Sequence, residues 1–155
     1  MHEMRSTTVT VWAATARYLA DLGVDTMFGL IGDANLFMAD SFVRDCGGHY
    51  VSASHECGAV LMALGYAQVT GKVGVATVTH GPGLTNTITA LVEGVKANTP
   101  MVLLAGDTPV TDKDNFQNVP QREHVLATGA GFEQQRSPQT LAEDMIVAFR
   151  RAQIE

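Results

Sequence analysis

Residues 55–86 decide the fold: they read HECGAVLMALGYAQVTGKVGVATVTHGPGLTN. The part from Glu56 to Thr70 contains no proline and is followed by Gly71, which predicts a helix that ends at a glycine cap. Because this helix is apolar nearly all round, we expect it to be buried. Its small residues permit close backbone approach: Gly58, Ala59, Ala63, Gly65 and Ala67. The uninterrupted run from Val73 to Val78 is typical of a central parallel strand that is covered on both faces.

The alternation of helix and strand continues on both sides of this stretch. Periodicity predicts helices over residues 7–22, 35–45, 85–98 and 137–150, and strands over 24–28, 50–53 and 101–105, with 128–133 as an edge strand. This order predicts the α/β class and a doubly wound parallel sheet with helices on both faces. Ligands of such sheets bind outside the carboxyl ends of the strands. Here those ends lead into loops at Gly29, Ser54, Thr79 and Gly106.

The composition indicates one domain over residues 1–155. Apolar residues make up 46% and charged residues 17%, which excludes a disordered chain. The net charge of -6 comes without a Lys/Arg cluster, so we expect no nucleic acid partner and no membrane surface. Cys46 and Cys57 have neither the number nor the spacing of a disulfide framework or a zinc site. The expected compartment is therefore the cytoplasm.

Two of the strand-end loops carry residues with chemistry of their own. Glu56 stands at the head of a helix that otherwise has to be buried, so its carboxylate needs a partner. It is either a helix-start residue favoured by the helix dipole or a buried acid whose protonated form desolvation favours. The loop at residues 79–86 lies between a strand and a helix, where backbone amides can meet a ligand. It lacks the third glycine of a dinucleotide fingerprint, and a tight turn explains the Gly-Pro-Gly on its own.

Taken together, the motifs in and between these loops indicate a protein family more strongly than any one motif does alone. The motifs are His55-Glu56-x-Gly58-Ala59, Ala63-x-Gly65-Tyr66-Ala67-x-x-Thr70-Gly71-Lys72-x-Gly74-Val75, Gly81-Pro82-Gly83-x-Thr85-Asn86, Pro100, Gly106 and Phe116-Gln117. This pattern resembles the pyrimidine-binding domain of the acetolactate synthase-like family of thiamine diphosphate enzymes. The resemblance runs in order and spacing over roughly residues 7 to 150. It implies the thiamine diphosphate-binding, pyrimidine-domain fold.

The resemblance also implies a role for individual residues. The glutamate matching Glu56 hydrogen-bonds the ring nitrogen of the cofactor's aminopyrimidine and so activates the cofactor. The positions that match the pyrimidine pocket are Thr79, Pro82 and Asn86, and the loop with Ile31 and Gly32 closes over the cofactor. His80 and Gln117 face the reacting end, on the substrate side. No residue of this chain is assigned to a metal.

The family implies further partners for the whole enzyme. Its members act on a 2-keto acid or an acyl donor, as lyases or transferases, and form a homodimer or homotetramer. They have three domains. A second cofactor domain binds the diphosphate through Mg²⁺, and whether the middle domain binds FAD stays open. No Gly-Asp-Gly metal motif occurs in these residues. We therefore expect a fragment that is inert alone, with the small-residue helix from Glu56 as the seam between subunits.

Three positions depart from the common family pattern. Ile31 stands where many members have proline, His80 where many have serine, and Asn118 where many have glutamate. All three match positions near the substrate end, so the substrate and the reaction outcome stay open. His80 is either a proton shuttle or a hydrogen-bonded turn residue.

Two other interpretations compete with the family assignment. Cys57 with His55 as its base would make a nucleophilic enzyme, although the two side chains diverge at a helix start and no third orienting residue is evident. A degenerate pyrimidine domain would act as a binding or regulatory module without catalysis. Retention of Glu56 argues against that second interpretation.

Overall fold

The sheet has four parallel strands. The computed structural model describes residues 8–112 and 114–154. The strands are β1 (Thr26–Gly29), β2 (His49–Ser52), β3 (Gly74–Val78) and β4 (Met101–Ala105), in the spatial order β2-β1-β3-β4. Every residue of β3 is buried. The predicted parallel sheet is confirmed, and β3 is an inner strand, as its β-branched sequence indicated.

Helices cover both faces of this sheet. They are α1 (Val11–Asp21), α2 (Leu36–Arg44), α3 (Glu56–Thr70), α4 (Pro82–Thr85), α5 (Ile88–Lys96), α6 (Gln121–Ala127) and α7 (Leu141–Ile154). Val75 belongs to the buried cluster formed with α1, α2 and α7, whereas Ala76 belongs to the cluster formed with α3 and α5. Successive strand residues point to opposite faces, so the sheet is doubly wound, as predicted. Within the described ranges, no helix has the length and apolar character needed to cross a membrane.

Two sequence predictions about elements are wrong. Residues 85–98 do not form one helix, because the chain makes the single turn of α4 and restarts as α5, with the Thr87 hydroxyl bonded to the Leu84 carbonyl at 2.6 Å. Residues 128–133 form no strand. There Thr128 bonds back to the carbonyl of Val125 and Gly129 has φ 89°, which turns the chain instead of extending it.

The bounds of the terminal helices also differ from those predicted. Residues 137–140 form a turn in which the Ser137 and Thr140 side chains bond to each other's backbone N–H groups, so α7 begins at Leu141 instead of Ser137. It continues to Ile154, beyond the predicted end at residue 150. The first helix begins at Val11, and Thr7, where its prediction began, lies outside the described residues.

The backbones of α3 and β3 lie in direct contact. A Cβ atom added at Gly74 would lie 2.2 Å from the carbonyl oxygen of Ala63 and 3.3 Å from the Cβ of Ala67. The predicted close approach is therefore present on this side of α3. The opposite side is open to solvent, since Leu61 is 47% and Val69 87% exposed. The prediction that α3 is buried all round holds only for the side that faces the sheet.

A polar cluster ties the far end of α3 to the sheet. Asp25, immediately before β1, accepts hydrogen bonds from the Lys72 ammonium and the Tyr66 hydroxyl, both at 2.5 Å. The hydrogen bond from Lys72, followed by that from Tyr66, lowers the pKa of Asp25 to about 2. Asp25 therefore stays ionised and paired at neutral pH, which links α3 to the starts of β1 and β3.

We predict that Gly74→Ala destabilises the domain by about 3 kcal/mol, because the added methyl group meets a backbone carbonyl that no rotamer change can move. Urea unfolding followed by circular dichroism measures the loss. Gly65→Ala is the matched control, since a Cβ there meets nothing within 4 Å and alanine favours a helix by about 0.5–1 kcal/mol. Equal stability of the two variants would contradict the proposed contact between α3 and β3.

Candidate functional site

The four loops that follow the strands lie along one edge of the sheet, because all four strands are parallel. Glu56, the first residue of α3, extends from this edge toward the turn at residues 79–86. Its Oε2 accepts a hydrogen bond from Asn86 Nδ2 at 3.1 Å, and its Oε1 lies 3.8 Å from the Cβ position of Gly83. Among the described residues no Lys, Arg or His forms a salt bridge with this carboxylate. Glu56 is half-buried and has a neutral partner, so its carboxylate can accept a hydrogen bond from a ligand.

Two glycines, Gly32 and Gly83, pack closely against the side chain of Thr79. A Cβ at Gly32 would lie 2.6 Å from the Thr79 Cβ, and a Cβ at Gly83 would lie 2.8 Å from the Thr79 Cγ2. A side chain at Gly32 would push its loop away from Thr79, and one at Gly83 would distort the turn itself. The structure therefore brings together three of the sequence-predicted positions, Gly32, Thr79 and, through Gly83, Glu56.

Gly81 joins the third loop to the fourth. Its φ is 61°, and a Cβ there would lie 1.9 Å from the carbonyl oxygen of Gln117. Its N–H donates to Gln121 Oε1 at 2.9 Å, and Gln121 Nε2 in turn donates to the Gly106 carbonyl at 2.9 Å. The Gln117 backbone thus lies against the turn, and the substrate-side role of Gln117 stays a prediction. Gln121 was missed in the sequence because only the tertiary structure reveals its partners, the more distant one 40 residues away.

The remaining predicted positions differ in their exposure. His80 is only 8% exposed, and its Nδ1 lies 3.5 Å from Thr79 Oγ1. Pro82 and Asn86 are exposed in the turn, and Ile31 is 40% exposed on the loop beside Gly32. The site therefore has a buried inner side at His80 and an outer side that is open in the single chain.

Asn35 is a second residue that sequence reasoning missed. It is 2% exposed, and its side chain holds the loop that precedes α2. Its Oδ1 accepts from the Gly32 N–H at 2.8 Å, and its Nδ2 donates to the Leu30 carbonyl at 3.1 Å and to Thr77 Oγ1 at 3.3 Å. An asparagine just before a helix is an ordinary N-cap by sequence, so nothing in the pattern signals these contacts.

His55 has a capping role that disfavours the cysteine-nucleophile interpretation. The Cys57 backbone N–H donates to His55 Nδ1 at 3.1 Å, which makes His55 the N-cap of α3. That nitrogen's lone pair is engaged by the backbone and does not serve as a base for the thiol. In the ranges 8–112 and 114–154, no group of three or more His, Cys, Asp and Glu side chains could hold a metal ion.

Comparison with known proteins agrees with this geometry. Residues 9–129 match the sequence model of the thiamine pyrophosphate enzyme family, N-terminal TPP-binding domain. The acetolactate synthase of Mycobacterium avium is 36% identical over 149 residues, covering 90% of this chain and 23% of that protein. The large subunit of acetolactate synthase isozyme 2 from Escherichia coli is 40% identical over 99 residues, 63% of this chain and 18% of that protein. The chain spans about a fifth of the length of these curated relatives.

The parallel fold and the carboxylate facing a glycine-rich turn define a cofactor-binding α/β domain. The chain belongs to the thiamine pyrophosphate enzyme family, as an N-terminal TPP-binding domain of the acetolactate synthase-like type. The polar groups present fit an aminopyrimidine, since a carboxylate, an amide and a hydroxyl lie at Glu56, Asn86 and Thr79. A heteroaromatic ring with a nitrogen acceptor and an amino donor is recognised by such groups.

We predict that Gly81→Ala disrupts the site, because it adds both left-handed backbone strain and a clash with the Gln117 carbonyl. The expected destabilisation is at least about 3 kcal/mol. Gly47→Ala is the control, since Gly47 has φ 71° but a Cβ there meets nothing within 4 Å, so only the strain of about 1 kcal/mol remains. Urea denaturation compares the two, and equal losses would show that residues 81 and 117 are not in contact.

Proposed function

We propose that this chain is the pyrimidine-binding domain of a longer acetolactate synthase-like enzyme in which Glu56 activates thiamine diphosphate. The observation that carries the proposal is the Glu56 carboxylate at the carboxyl edge of the sheet, held at 3.1 Å by the neutral amide of Asn86. A carboxylate that is oriented by an amide and free of a cationic partner is suited to share a proton with a weakly basic ring nitrogen.

The other residues of the site would hold the cofactor and exclude water. Thr79, Pro82 and Asn86 would line the pyrimidine pocket, and the loop with Ile31 and Gly32 would close over it. When bound, thiamine diphosphate supplies a nucleophilic thiazolium carbon. Glu56 would hold a proton at the pyrimidine ring nitrogen while the neighbouring loops keep that ring in place.

The substrate side would be formed by His80 and Gln117. His80 lies buried within the turn beside Thr79, and the Gln117 backbone lies against Gly81. A buried imidazole there could move a proton to or from a 2-keto acid or an acyl donor. Either a lyase or a transferase reaction is consistent with these groups. Mg²⁺ and any FAD would be held by other domains of the enzyme. The free cysteines Cys46 and Cys57 support the proposal that the enzyme is cytoplasmic.

The proposed assembly is a homodimer or homotetramer that uses the outward face of α3. Leu61 and Val69 are exposed there, and Gly65 lies between them on the solvent side. An apolar helix face with a small residue at its centre permits close packing against a second helix. Glu56 begins the same helix, roughly one and a half turns before Leu61.

We predict that Glu56→Gln in the full-length protein lowers kcat about 100-fold or more, because glutamine cannot take up a proton, while thiamine diphosphate still binds within a few-fold of its normal Kd. Steady-state kinetics and calorimetric titration measure the two effects. Glu93→Gln, at an exposed glutamate on α5, is the matched control and should leave kcat unchanged.

Full activity of the Glu56→Gln protein would refute the catalytic proposal and favour a binding or regulatory domain. Alkylation of Cys57 provides a separate check on the nucleophile interpretation. An alkylated protein that keeps its activity would eliminate a catalytic thiol, whereas loss of activity with Glu56 intact would revive it.

We predict that Leu61→Arg weakens self-association by at least tenfold in Kd, because a charge would be buried in an apolar contact. Analytical ultracentrifugation of the full-length protein measures the change, and activity should fall with the loss of dimer. Leu126→Arg is the control at a similarly exposed leucine, 42% against 47%, on α6. A dimer that survives Leu61→Arg would mean that the subunits meet on another surface.

A further inference from the structure

Asn35 stands where a helix N-cap belongs, but its side chain does not cap the helix. Asn35 directly precedes α2, and none of the hydrogen bonds of its side chain goes to that helix. The side chain turns back instead, to Gly32, Leu30 and Thr77. A residue type that normally stabilises a helix start is used here to hold a loop.

The amide of Asn35 is fully used by these contacts. Its single oxygen accepts from the Gly32 N–H at 2.8 Å, while its NH₂ group donates to Leu30 O at 3.1 Å and to Thr77 Oγ1 at 3.3 Å. The carbonyl of Gly32 also accepts from the Asn35 N–H at 3.3 Å. Both polar backbone groups of Gly32 are therefore held by the same residue.

These contacts connect two of the site's loops. Thr77 is a residue of β3, 1% exposed, and β3 leads directly into Thr79. Gly32 lies on the Thr79 side chain so closely that no Cβ would fit between them. The amide thus fixes the first loop against the strand whose end carries the pyrimidine turn.

We infer that Asn35 is a positioning residue for the cofactor, which holds the loop of Ile31 and Gly32 in its binding conformation before the cofactor arrives. This inference rests on the proposed function of the site. A loop that is already ordered loses less conformational entropy when the cofactor binds. Asn35 should therefore affect the affinity for the cofactor and not the proton transfer at Glu56.

The amide is the side chain that satisfies all three partners. Asn35→Asp keeps the shape and the acceptor for Gly32 but replaces both donors with an acceptor, so an oxygen would face the Leu30 carbonyl and the Thr77 hydroxyl would have to reverse its role. Thr77→Val removes only the hydroxyl at the far end of the network and keeps a β-branched residue in β3. The two variants therefore weaken the same network to different extents.

The test uses the full-length protein with thiamine diphosphate and Mg²⁺. We expect Asn35→Asp to raise the Kd of the cofactor about tenfold or more and Thr77→Val to raise it about threefold, by calorimetric titration. At saturating cofactor, kcat of both variants should stay within about threefold of the wild type. This division between Kd and kcat separates a positioning residue from a catalytic one.

The control is Thr128→Val, which also removes a buried hydroxyl, bonded to the Val125 carbonyl at 2.7 Å, but away from the strand-end loops. It should lower the melting temperature of the cofactor-free protein without changing the cofactor Kd. Equal weakening by Thr128→Val and Asn35→Asp would overturn the inference, because a general loss of stability would then explain both.

The remaining outcomes are also decisive. An unchanged Kd in Asn35→Asp, or a kcat at saturation that falls as far as the affinity, would overturn the inference while leaving the proposed function intact. If Asn35→Asp does not fold, Thr77→Val decides, and an unchanged Kd there would overturn it. Failure of the wild-type protein to bind thiamine diphosphate would instead refute the proposed function itself.

Discussion

The contact between the backbones of α3 and β3 is the constraint on which the site depends. Because Gly74 has no side chain, the Ala63 carbonyl of α3 can lie directly on the strand. From Ala63 back to Glu56 the helix extends about 10 Å, and from Gly74 to Val78 the strand extends about 13 Å. Both therefore arrive at the carboxyl edge together. A side chain at residue 74 would move α3 away from β3 and separate the Glu56 carboxylate from the turn at residues 79–86.

The turn itself is shaped by atoms that are missing from its glycines. Gly32 and Gly83 lie on Thr79, and Gly81 lies on the Gln117 carbonyl, in each case closer than a Cβ would allow. Three loops that are distant in sequence thus converge where glycines permit close contact, and the polar side chains of Asn35 and Gln121 add hydrogen bonds between them. The hydrogen-bonded pair of Glu56 and Asn86 lies at the edge of the sheet where these loops meet.

The sequence predicted the parts of this structure that have strong local signals. The bounds of α3 were correct because Gly71 ends it in the left-handed conformation, and β4 was correct because a short apolar run there follows Pro100. The break between α4 and α5 was missed, since a hydroxyl bond at Thr87 outweighs apolar periodicity. The network of Asn35 was missed for a different reason: its partner Thr77 is 42 residues away, and an N-cap asparagine gives no sign of a reversed side chain.

Assembly and chemistry are connected through α3 in the proposed enzyme. Glu56 is half-buried in the single chain and begins the helix that carries the exposed Leu61 and Val69. In the proposed dimer, a second copy packed on Leu61 and Val69 would remove water from that side of the helix. The open side of α3 is thus where the surface of the proposed association and the proposed catalytic residue share one helix.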